Sequence, residues 1–313
     1  MSSTTVSPGW RQQAALHWRM TRPGFLMITP SACLVGIATA FADAGVVHIG
    51  LALLTIFLAC VAHAGANVLN DWQDARNGAD AANQHCISPF TGGSRMIQNK
   101  LVTESQTARW SAWLLGVLVP AGALLALDAG SGLLLIGAAG LLIAWAYSAP
   151  PLQLMSRGVG ELAVSAAWWL IVVGADYVQR GQFAAAPALL GASMGLLVGC
   201  ILLINGFPDA RADASVGKRT LAVRLGPRGA ALAYALLAAA AHGWVTTCAL
   251  AWTPLPGALW GLASLPTSVA AAALLWQRRA EPQRLRPAII LTIISANLHA
   301  LALAIGLLLN AAS

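Results

Sequence analysis

The chain has 313 residues, of which 58% are hydrophobic and only 9% are charged, and its mean hydropathy is +0.70. A soluble globular protein carries about 25% charged residues, so this composition excludes an ordinary soluble domain and indicates an integral membrane protein. The formal net charge is +7, but the basic residues are scattered among short segments between apolar runs rather than gathered on one face. We therefore expect contact with membrane lipid and no nucleic-acid partner.

Nine apolar segments approach the roughly 20 residues that a transmembrane helix needs. The predicted fold is therefore all-α, a polytopic membrane helical bundle of about nine transmembrane helices. No Pro/Ser-rich or strongly charged linker divides the chain, so we expect a cytoplasmic N-terminal segment, 1–23, followed by a single transmembrane domain, 24–309. The apolar segments lie near residues 24–44, 48–70, 110–127, 131–148, 159–178, 185–206, 229–250, 256–276 and 288–309.

The basic residues indicate how the helices are oriented. If the N-terminus is cytoplasmic, the predicted cytoplasmic segments contain 17 of the 18 Lys and Arg residues, and Arg180 is the exception. This is the bias that the positive-inside rule predicts, whereas a wrong number of spans would mix basic and non-basic loops. We predict nine spans with the C-terminus outside. The predicted cytoplasmic segments are 1–23, 71–109, 149–158, 207–228 and 277–287.

Acidic residues cluster directly after two of the apolar helices. In the first stretch, NVLNDWQDARNGAD, the residues Asn67, Asn70, Asp71 and Asp74 recur at spacings of three and four, which would place them on one face of an extended second helix. Two carboxylates and the amides would then converge. Five of the eleven acidic residues belong to the two stretches: Asp71, Asp74, Asp80, Asp209 and Asp213.

The second stretch, NGFPDARADASVGKRT, repeats part of this pattern. Asn205, Asp209 and Asp213 recur every four residues, although Pro208 is expected to disturb the helix there. Asn67 to Asp71 and Asn205 to Asp209 are both NxxxD, 138 residues apart, which indicates a weak internal repeat. Two four-helix repeats plus a ninth helix would bring the two clusters face to face across a central cavity.

Facing carboxylates repel each other unless a cation lies between them, and Mg²⁺ commonly binds one or two carboxylates together with substrate phosphates. Glycines and cations that suit phosphate oxygens follow both clusters. Acids at helix ends can also simply solvate the membrane interface, but two matched clusters with trailing basic loops favour a site. The sequence therefore predicts a magnesium diphosphate site. The trailing residues are Gly92, Gly93, Ser94 and Arg95, and Gly217, Lys218, Arg219 and Thr220.

These motifs resemble a known family. NDWQD with Asp80 downstream, and DARADASVGKRTLAVRLG, are similar to the two aspartate-rich motifs of the UbiA superfamily of intramembrane aromatic prenyltransferases, over residues 20 to 300. The run from Asn67 to Asp80 followed by GGSR, together with YSAPP and RGVGE, resembles the branch that prenylates 1,4-dihydroxy-2-naphthoate for menaquinone. Gly78 stands where the hydroxybenzoate and haem-O branches would carry a third Asp.

The resemblance implies Mg²⁺-dependent transfer of a polyprenyl group from polyprenyl diphosphate to an aromatic acceptor. It places the protein in the bacterial cytoplasmic (inner) membrane, with the active site facing the cytoplasm. Because Pro208 stands where many naphthoate-type members have a basic residue, 4-hydroxybenzoate or a related quinone precursor stays open as the acceptor. The implied roles are metal binding by Asp71, Asp74, Asp209 and Asp213, orientation by Asn67, Asn70 and Asn205, phosphate binding by Arg95, Arg157, Lys218 and Arg219, and orientation of the acceptor phenol by Tyr147.

Three other classes fit the sequence less well. A cation-coupled secondary transporter would hold its acids near the bilayer midplane on broken helices, whereas these acids follow helix ends. A CDP-alcohol phosphotransferase would need DG before the AR dipeptide of Asp74-Ala75-Arg76, and a non-catalytic assembly protein would not need both acid clusters. The sequence assigns no role to Asp80, His63 or Glu161, no general base, no prenyl chain length and no oligomeric state.

Overall fold

The computed structural model describes residues 9–251 and 255–311, and in these ranges the chain forms helices and no strand. The all-α prediction is confirmed for them. The α-helices are α1 Trp10–Met20, α2 Pro23–Leu26, α3 Ile28–Ala44, α4 Ile49–Asn77, α5 Ala79–Ala82, α6 Glu104–Gly116, α7 Leu118–Ala129, α8 Gly132–Ser148, α9 Gly160–Arg180, α10 Ala185–Ser215, α11 Leu221–Ala251, α12 Leu265–Arg278 and α13 Arg286–Ala311. Three 3-10 helices span Leu154–Ser156, Pro256–Ser264 and Pro282–Arg284.

Eight helical segments of the described chain are long and apolar enough to cross a membrane. α8 is also apolar but has only 17 residues, fewer than the roughly 20 that a bilayer core demands. Eight of the nine predicted spans are thus confirmed as long apolar helices. The remaining one, predicted near residues 131–148, corresponds to the shorter helix α8. The eight segments are Pro23–Ala44, Ile49–Asn77, Glu104–Ala129, Gly160–Arg180, Ala185–Ser215, Leu221–Ala251, Pro256–Arg278 and Arg286–Ala311.

α4 and α10 are longer than a bilayer requires. α4 has 29 residues and α10 has 31, which at 1.5 Å per residue gives lengths of about 43 and 46 Å, against a hydrocarbon core of about 30 Å. Each helix continues as an α-helix through its acid cluster, and α10 does so with Pro208 inside it. The extra turns carry the carboxylates beyond the apolar part of the bundle.

The centre of the bundle is built by α3, α9, α10 and α13, in which α3 and α10 each contact the other three helices. Their facing sides contribute small and branched side chains to one buried core. Helices without polar groups attract each other in a bilayer mainly through close van der Waals contact, which small residues allow. At Gly36 of α3, an added Cβ would collide with the backbone oxygen of Val172 in α9 and lie 2.9 Å from the Cβ of Ala175.

This close approach leads to a stability prediction. Gly36→Ala should destabilise the protein by about 1–3 kcal/mol, the usual effect of overpacking, because the backbone of α9 cannot yield as a side chain would. Thermal unfolding of the purified protein in detergent measures the effect. Gly50→Ala is the matched control, since a Cβ at Gly50 meets nothing within 4 Å. Equal melting temperatures for the two variants would contradict the proposed contact.

Candidate active site

Two cavities meet at the end of the bundle where the acid clusters lie. The larger has a volume of about 370 Å³ and mostly apolar walls from α3, α4, α7, α8, α9 and α10. The smaller, about 110 Å³, is lined by acidic, amide and basic side chains. The cavities adjoin because they share wall residues, namely Arg22, Asn70, Tyr147, Leu202 and Asn205.

Lys218 joins the two acid clusters in the polar cavity. Its Nζ lies 2.9 Å from Asp74 Oδ1 of α4 and 3.1 Å from Asp213 Oδ1 of α10. Burial disfavours the ammonium, but the two facing carboxylates outweigh that effect and raise the pKa of Lys218 above its usual value. Lys218 is therefore a fixed positive charge between carboxylates that stand 139 positions apart in the sequence.

The remaining two predicted metal ligands are held by the loop that follows the first cluster. Asp209 accepts hydrogen bonds from Asn83 Nδ2 at 2.6 Å and from the backbone N–H of Gly92 at 3.3 Å. Asp71 Oδ2 accepts the backbone N–H of Ser94 at 3.0 Å, and Asp71 Oδ1 is buried without a hydrogen-bond partner. The loop thus fixes one carboxylate from each cluster.

Gly93 provides space for two of these carboxylates. A Cβ at this position would lie 2.7 Å from Asp80 Oδ2 and 2.9 Å from Asp71 Oδ1, and the backbone φ is +69°, a left-handed conformation that favours glycine. Burial, together with the nearby carboxylates of Asp74 and Asp71, raises the pKa of Asp80 to about 8. Asp80 lines the polar cavity and is therefore part of the site.

The predicted amides and the tyrosine occupy distinct positions. Asn67 donates to the backbone oxygen of Thr21 at 3.0 Å, and Asn70 donates to Asp74 Oδ2 at 3.1 Å. Asn205 Oδ1 is buried without a partner. Asn205 and Tyr147 both line the junction of the two cavities, so they face any molecule that spans the two.

The structure separates the predicted phosphate-binding cations. Lys218 lines the polar cavity, whereas Arg95 lies behind it and donates to the backbone oxygens of Asp80 at 2.6 Å and Asn83 at 2.9 Å. Arg157 is exposed and donates to Pro151 O at 2.7 Å, and the side chain of Arg219 is also exposed. Neither lines the cavity, so the structure offers no contact that would support their predicted role.

Arg22 lies in the cavity wall, although the sequence did not identify it as a site residue. It lines both cavities and donates through Nη2 to Phe90 O at 2.9 Å. Within the described chain, Arg22 and Lys218 are the cations that line the polar cavity. Arg22 lies in the segment that was predicted to be a separate cytoplasmic stretch. The only feature of the sequence that could have pointed to it is its position just before the first apolar run.

Asn83 and Glu161 also line the polar cavity. Asn83 holds Asp209, and Glu161 is buried in the first turn of α9. Asn83 could not be identified as a site residue from the sequence. It lies six residues beyond the end of α4, where helical spacing no longer relates it to the acid cluster. Its contribution depends on the loop folding back.

The donor set fits a hard divalent cation. Within residues 9–251 and 255–311, no three Asp, Glu, His or Cys side chains converge as a self-sufficient metal site. Mg²⁺ does not need one, because it typically binds one or two carboxylates together with substrate phosphates and water. Asp71 Oδ1 and Asn205 Oδ1 are buried acceptors without partners, and such atoms cost about 1–3 kcal/mol each if nothing binds them.

Comparison with known proteins identifies relatives of this chain. The sequence model of the UbiA prenyltransferase family matches residues 30–296. A protein named 1,4-dihydroxy-2-naphthoate octaprenyltransferase from Escherichia coli (strain K12) is 29% identical over 92% of this chain and 94% of its own length. Proteins of the same name from Mycobacterium tuberculosis and Mycobacterium leprae are each 31% identical, over 71% and 56% of this chain and 73% and 58% of their own lengths.

Solved structures show the same fold. The apo structure of a UbiA homolog from Aeropyrum pernix K1 superposes with a TM-score of 0.68 at 17% identity, covering 90% of this chain and 98% of that one. A UbiA homolog from Archaeoglobus fulgidus bound to DMAPP and Mg²⁺ superposes with a TM-score of 0.59 at 13% identity, covering 92% and 99%. At these identities the likeness concerns the fold.

The environment of Asp80 predicts how stability depends on pH. The pKa of Asp80 in the folded protein, about 8, lies above the usual value of 3.8. Between about pH 4 and pH 8, the folded protein therefore keeps a proton on Asp80 that the unfolded chain has already lost. Stability should therefore fall as pH rises through this range, in metal-free buffer with a chelator. Asp80→Asn should flatten this dependence and raise the melting temperature at pH 8.

Melting temperatures in detergent between pH 5 and pH 8.5 measure the effect. Asp128→Asn, which changes an exposed acid away from the cavities, should leave the wild-type slope intact. An unchanged slope in Asp80→Asn would show that other groups carry the dependence.

Proposed function

Because this chain belongs to the UbiA prenyltransferase family, it is an integral-membrane prenyltransferase, and we propose which reaction it catalyses. It uses Mg²⁺ to transfer a polyprenyl group from polyprenyl diphosphate to 1,4-dihydroxy-2-naphthoate. The reaction would serve menaquinone synthesis. The relatives named for this reaction, which include one near full-length match, support this acceptor over 4-hydroxybenzoate. The latter stays the alternative acceptor.

One observation supports the proposal most directly: a small polar cavity adjoins a larger apolar one. A polyprenyl diphosphate has the same division, with a multiply charged head joined to a long hydrocarbon tail. The head fits the end of the bundle where carboxylates, amides and cations meet, and the tail fits the apolar cavity. The bond that breaks would then lie at the junction, beside Tyr147, Asn205 and Arg22.

The four aspartates would hold the cation on the diphosphate: Asp71, Asp74, Asp209 and Asp213. When bound, Mg²⁺ neutralises charge on the diphosphate and stabilises it as a leaving group. Lys218 and Arg22 add positive charge in the same cavity, and Lys218 is already fixed by Asp74 and Asp213. Prepositioned charges of this kind stabilise a transition state without reorganisation during the reaction.

The apolar cavity has a second task after the C–O bond breaks. The prenyl group then carries positive charge at its first carbon, which water would quench. Apolar side chains of α4, α7, α8 and α9 enclose this space, and exclusion of water from a reactive intermediate is one benefit of a closed site. The electron-rich ring of the acceptor attacks the allylic carbon and forms the new C–C bond, while the electrons of the broken C–O bond leave with the diphosphate. The attacked ring carbon then loses its proton, or its carboxylate as CO2, to restore the aromatic ring.

The proposed orientation places the polar cavity at the cytoplasmic face of a bacterial inner membrane. Arg180, the one basic residue predicted to lie outside, is paired with Asp43 at 2.5 Å and with Asp176 at 2.8 Å, and its side chain is 5% exposed. A buried, paired arginine adds little free positive charge to its side. The exception to the positive-inside pattern therefore carries little weight.

Activity in isolated membranes tests the proposed function. We expect prenylated product from a polyprenyl diphosphate, Mg²⁺ and 1,4-dihydroxy-2-naphthoate, and no product when a chelator removes the metal. Product from 4-hydroxybenzoate alone would keep the reaction and change the acceptor. Folded protein that yields product from neither acceptor would contradict the proposal.

A matched pair of aspartates tests the site. Asp213→Asn should lower kcat by about 10²-fold or more, in the range found when one stabilising group of an active site is removed. Asp43→Asn should retain activity, although it also removes a carboxylate paired with a buried cation, because Asp43 lies at the opposite end of the bundle. Steady-state rates at saturating substrates measure both. Equal losses would assign the effect of Asp213 to folding.

A further inference from the structure

His63 lies in the wall of the apolar cavity, on α4, one turn before Asn67. Its Nδ1 is 2.8 Å from Thr29 Oγ1 of α3. The edge of its ring meets Trp168 of α9, with ring centroids 4.8 Å apart and planes at 87°. Two neighbouring helices thus fix both the position and the tilt of the imidazole ring.

The tautomer of His63 follows from counting hydrogen-bond donors. Thr29 is fully buried, and its hydroxyl has no partner among the described residues other than His63. A threonine hydroxyl has one proton to donate, so we assign that proton to the hydrogen bond with Nδ1. A neutral imidazole that accepts at Nδ1 carries its own proton on Nε2. His63 therefore presents an N–H donor.

This donor lacks a partner in the described chain, unlike those of the other two enclosed histidines. His242 is bonded through Nδ1 to Ala238 O and through Nε2 to Ser264, each within 3 Å. His299 is bonded through Nδ1 to Gly261 O and through Nε2 to Ser193, again within that range. Those two histidines serve packing, whereas His63 keeps accessible surface in the cavity wall.

We propose that His63 Nε2–H donates a hydrogen bond to a ring hydroxyl oxygen of the aromatic acceptor and so selects and positions it. The inference rests on the proposed function and deepens it. A prenyl tail has no oxygen that could accept this hydrogen bond. The diphosphate is placed in the polar cavity, beside the aspartates that would hold its Mg²⁺. A carboxylate on the acceptor would be drawn instead toward the cations Arg22 and Lys218, which leaves a neutral hydroxyl for the neutral donor.

The depth of His63 suits this role. It lies eight residues before Asp71 on one continuous helix, about 12 Å along the axis at 1.5 Å per residue. The reacting ring carbon must approach the first carbon of the prenyl donor to about 3–3.5 Å, just inside the diphosphate. A fused two-ring acceptor placed there extends toward His63, so the histidine reaches its far hydroxyl.

Substrate-specific kinetics test the proposal. His63→Leu should raise the KM for the naphthoate about 10-fold, while the KM for the prenyl diphosphate stays within about twofold; a tenfold change corresponds to about 1.4 kcal/mol, within the range of one hydrogen bond. His63→Gln, which keeps an N–H donor, should restore most of the acceptor KM. Thr29→Val removes the hydroxyl that fixes the Nε2–H tautomer of His63. Its KM for the naphthoate should therefore lie between those of the wild type and His63→Leu.

The control is His48→Leu, the same change at the exposed start of α4 and far from both cavities, which should leave both KM values unchanged. Melting temperatures check folding of each variant. If His63→Leu does not fold, inhibition of the wild type and Thr29→Val by 1-hydroxy-2-naphthoate and 4-hydroxy-2-naphthoate replaces it. The wild type should bind one of them distinctly better, and Thr29→Val should show a smaller preference between the two.

Each of the following results would overturn the inference. Equal effects of His63→Leu and His63→Gln, or equal rises in the two KM values, would assign His63 to packing of the cavity wall. So would unchanged preference between the two monohydroxy naphthoates in Thr29→Val. A wild type that forms no product from any aromatic acceptor would overturn the proposed function together with this inference, whereas an active wild type with unaffected variants would overturn the inference alone.

Discussion

The site depends on the burial of several carboxylates beside very few cations. Lys218 lies between Asp74 of α4 and Asp213 of α10, two helices that are far apart in the sequence. Without the charge of Lys218, these two carboxylates would repel each other across a space of low dielectric constant. Backbone N–H groups and Asn83 neutralise part of the charge on Asp71 and Asp209. The arrangement remains rich in negative charge and unpaired oxygens, which is the condition that favours binding of a divalent cation.

The length of α4 and α10 serves this same requirement. Carboxylates at the depth of the hydrocarbon core would be too costly, and at the surface they would be fully hydrated. Helices of 29 and 31 residues place them just beyond the apolar core, where a loop can enclose them. The loop around Gly92 and Gly93 then folds over the helix ends and supplies N–H donors.

The apolar cavity also differs in kind from the packed centre of the bundle. α3 and α9 approach so closely at Gly36 that no Cβ would fit, whereas α4, α7, α8 and α9 line a cavity between them that leaves room for a ligand. His63 lies at the boundary of these two regions, where Thr29 and Trp168 hold it. Close packing on one side of the bundle thus gives the open side a rigid wall.

Composition and periodicity were sufficient to predict an all-α membrane protein and the two acid clusters, because hydrophobic length and i, i+4 spacing are local properties of the chain. The family motifs are equally local. The tertiary structure decided which cations reach the cavity. Arg22 lines it from the N-terminal segment, while Arg157 and Arg219, which belong to the sequence motifs, are exposed at the surface. Asp80, Asn83 and His63 acquire their surroundings in the same way, from helices and loops far away in the chain. Sequence spacing determines the face of a helix, but only the packing of other helices and loops against that face determines what each residue meets.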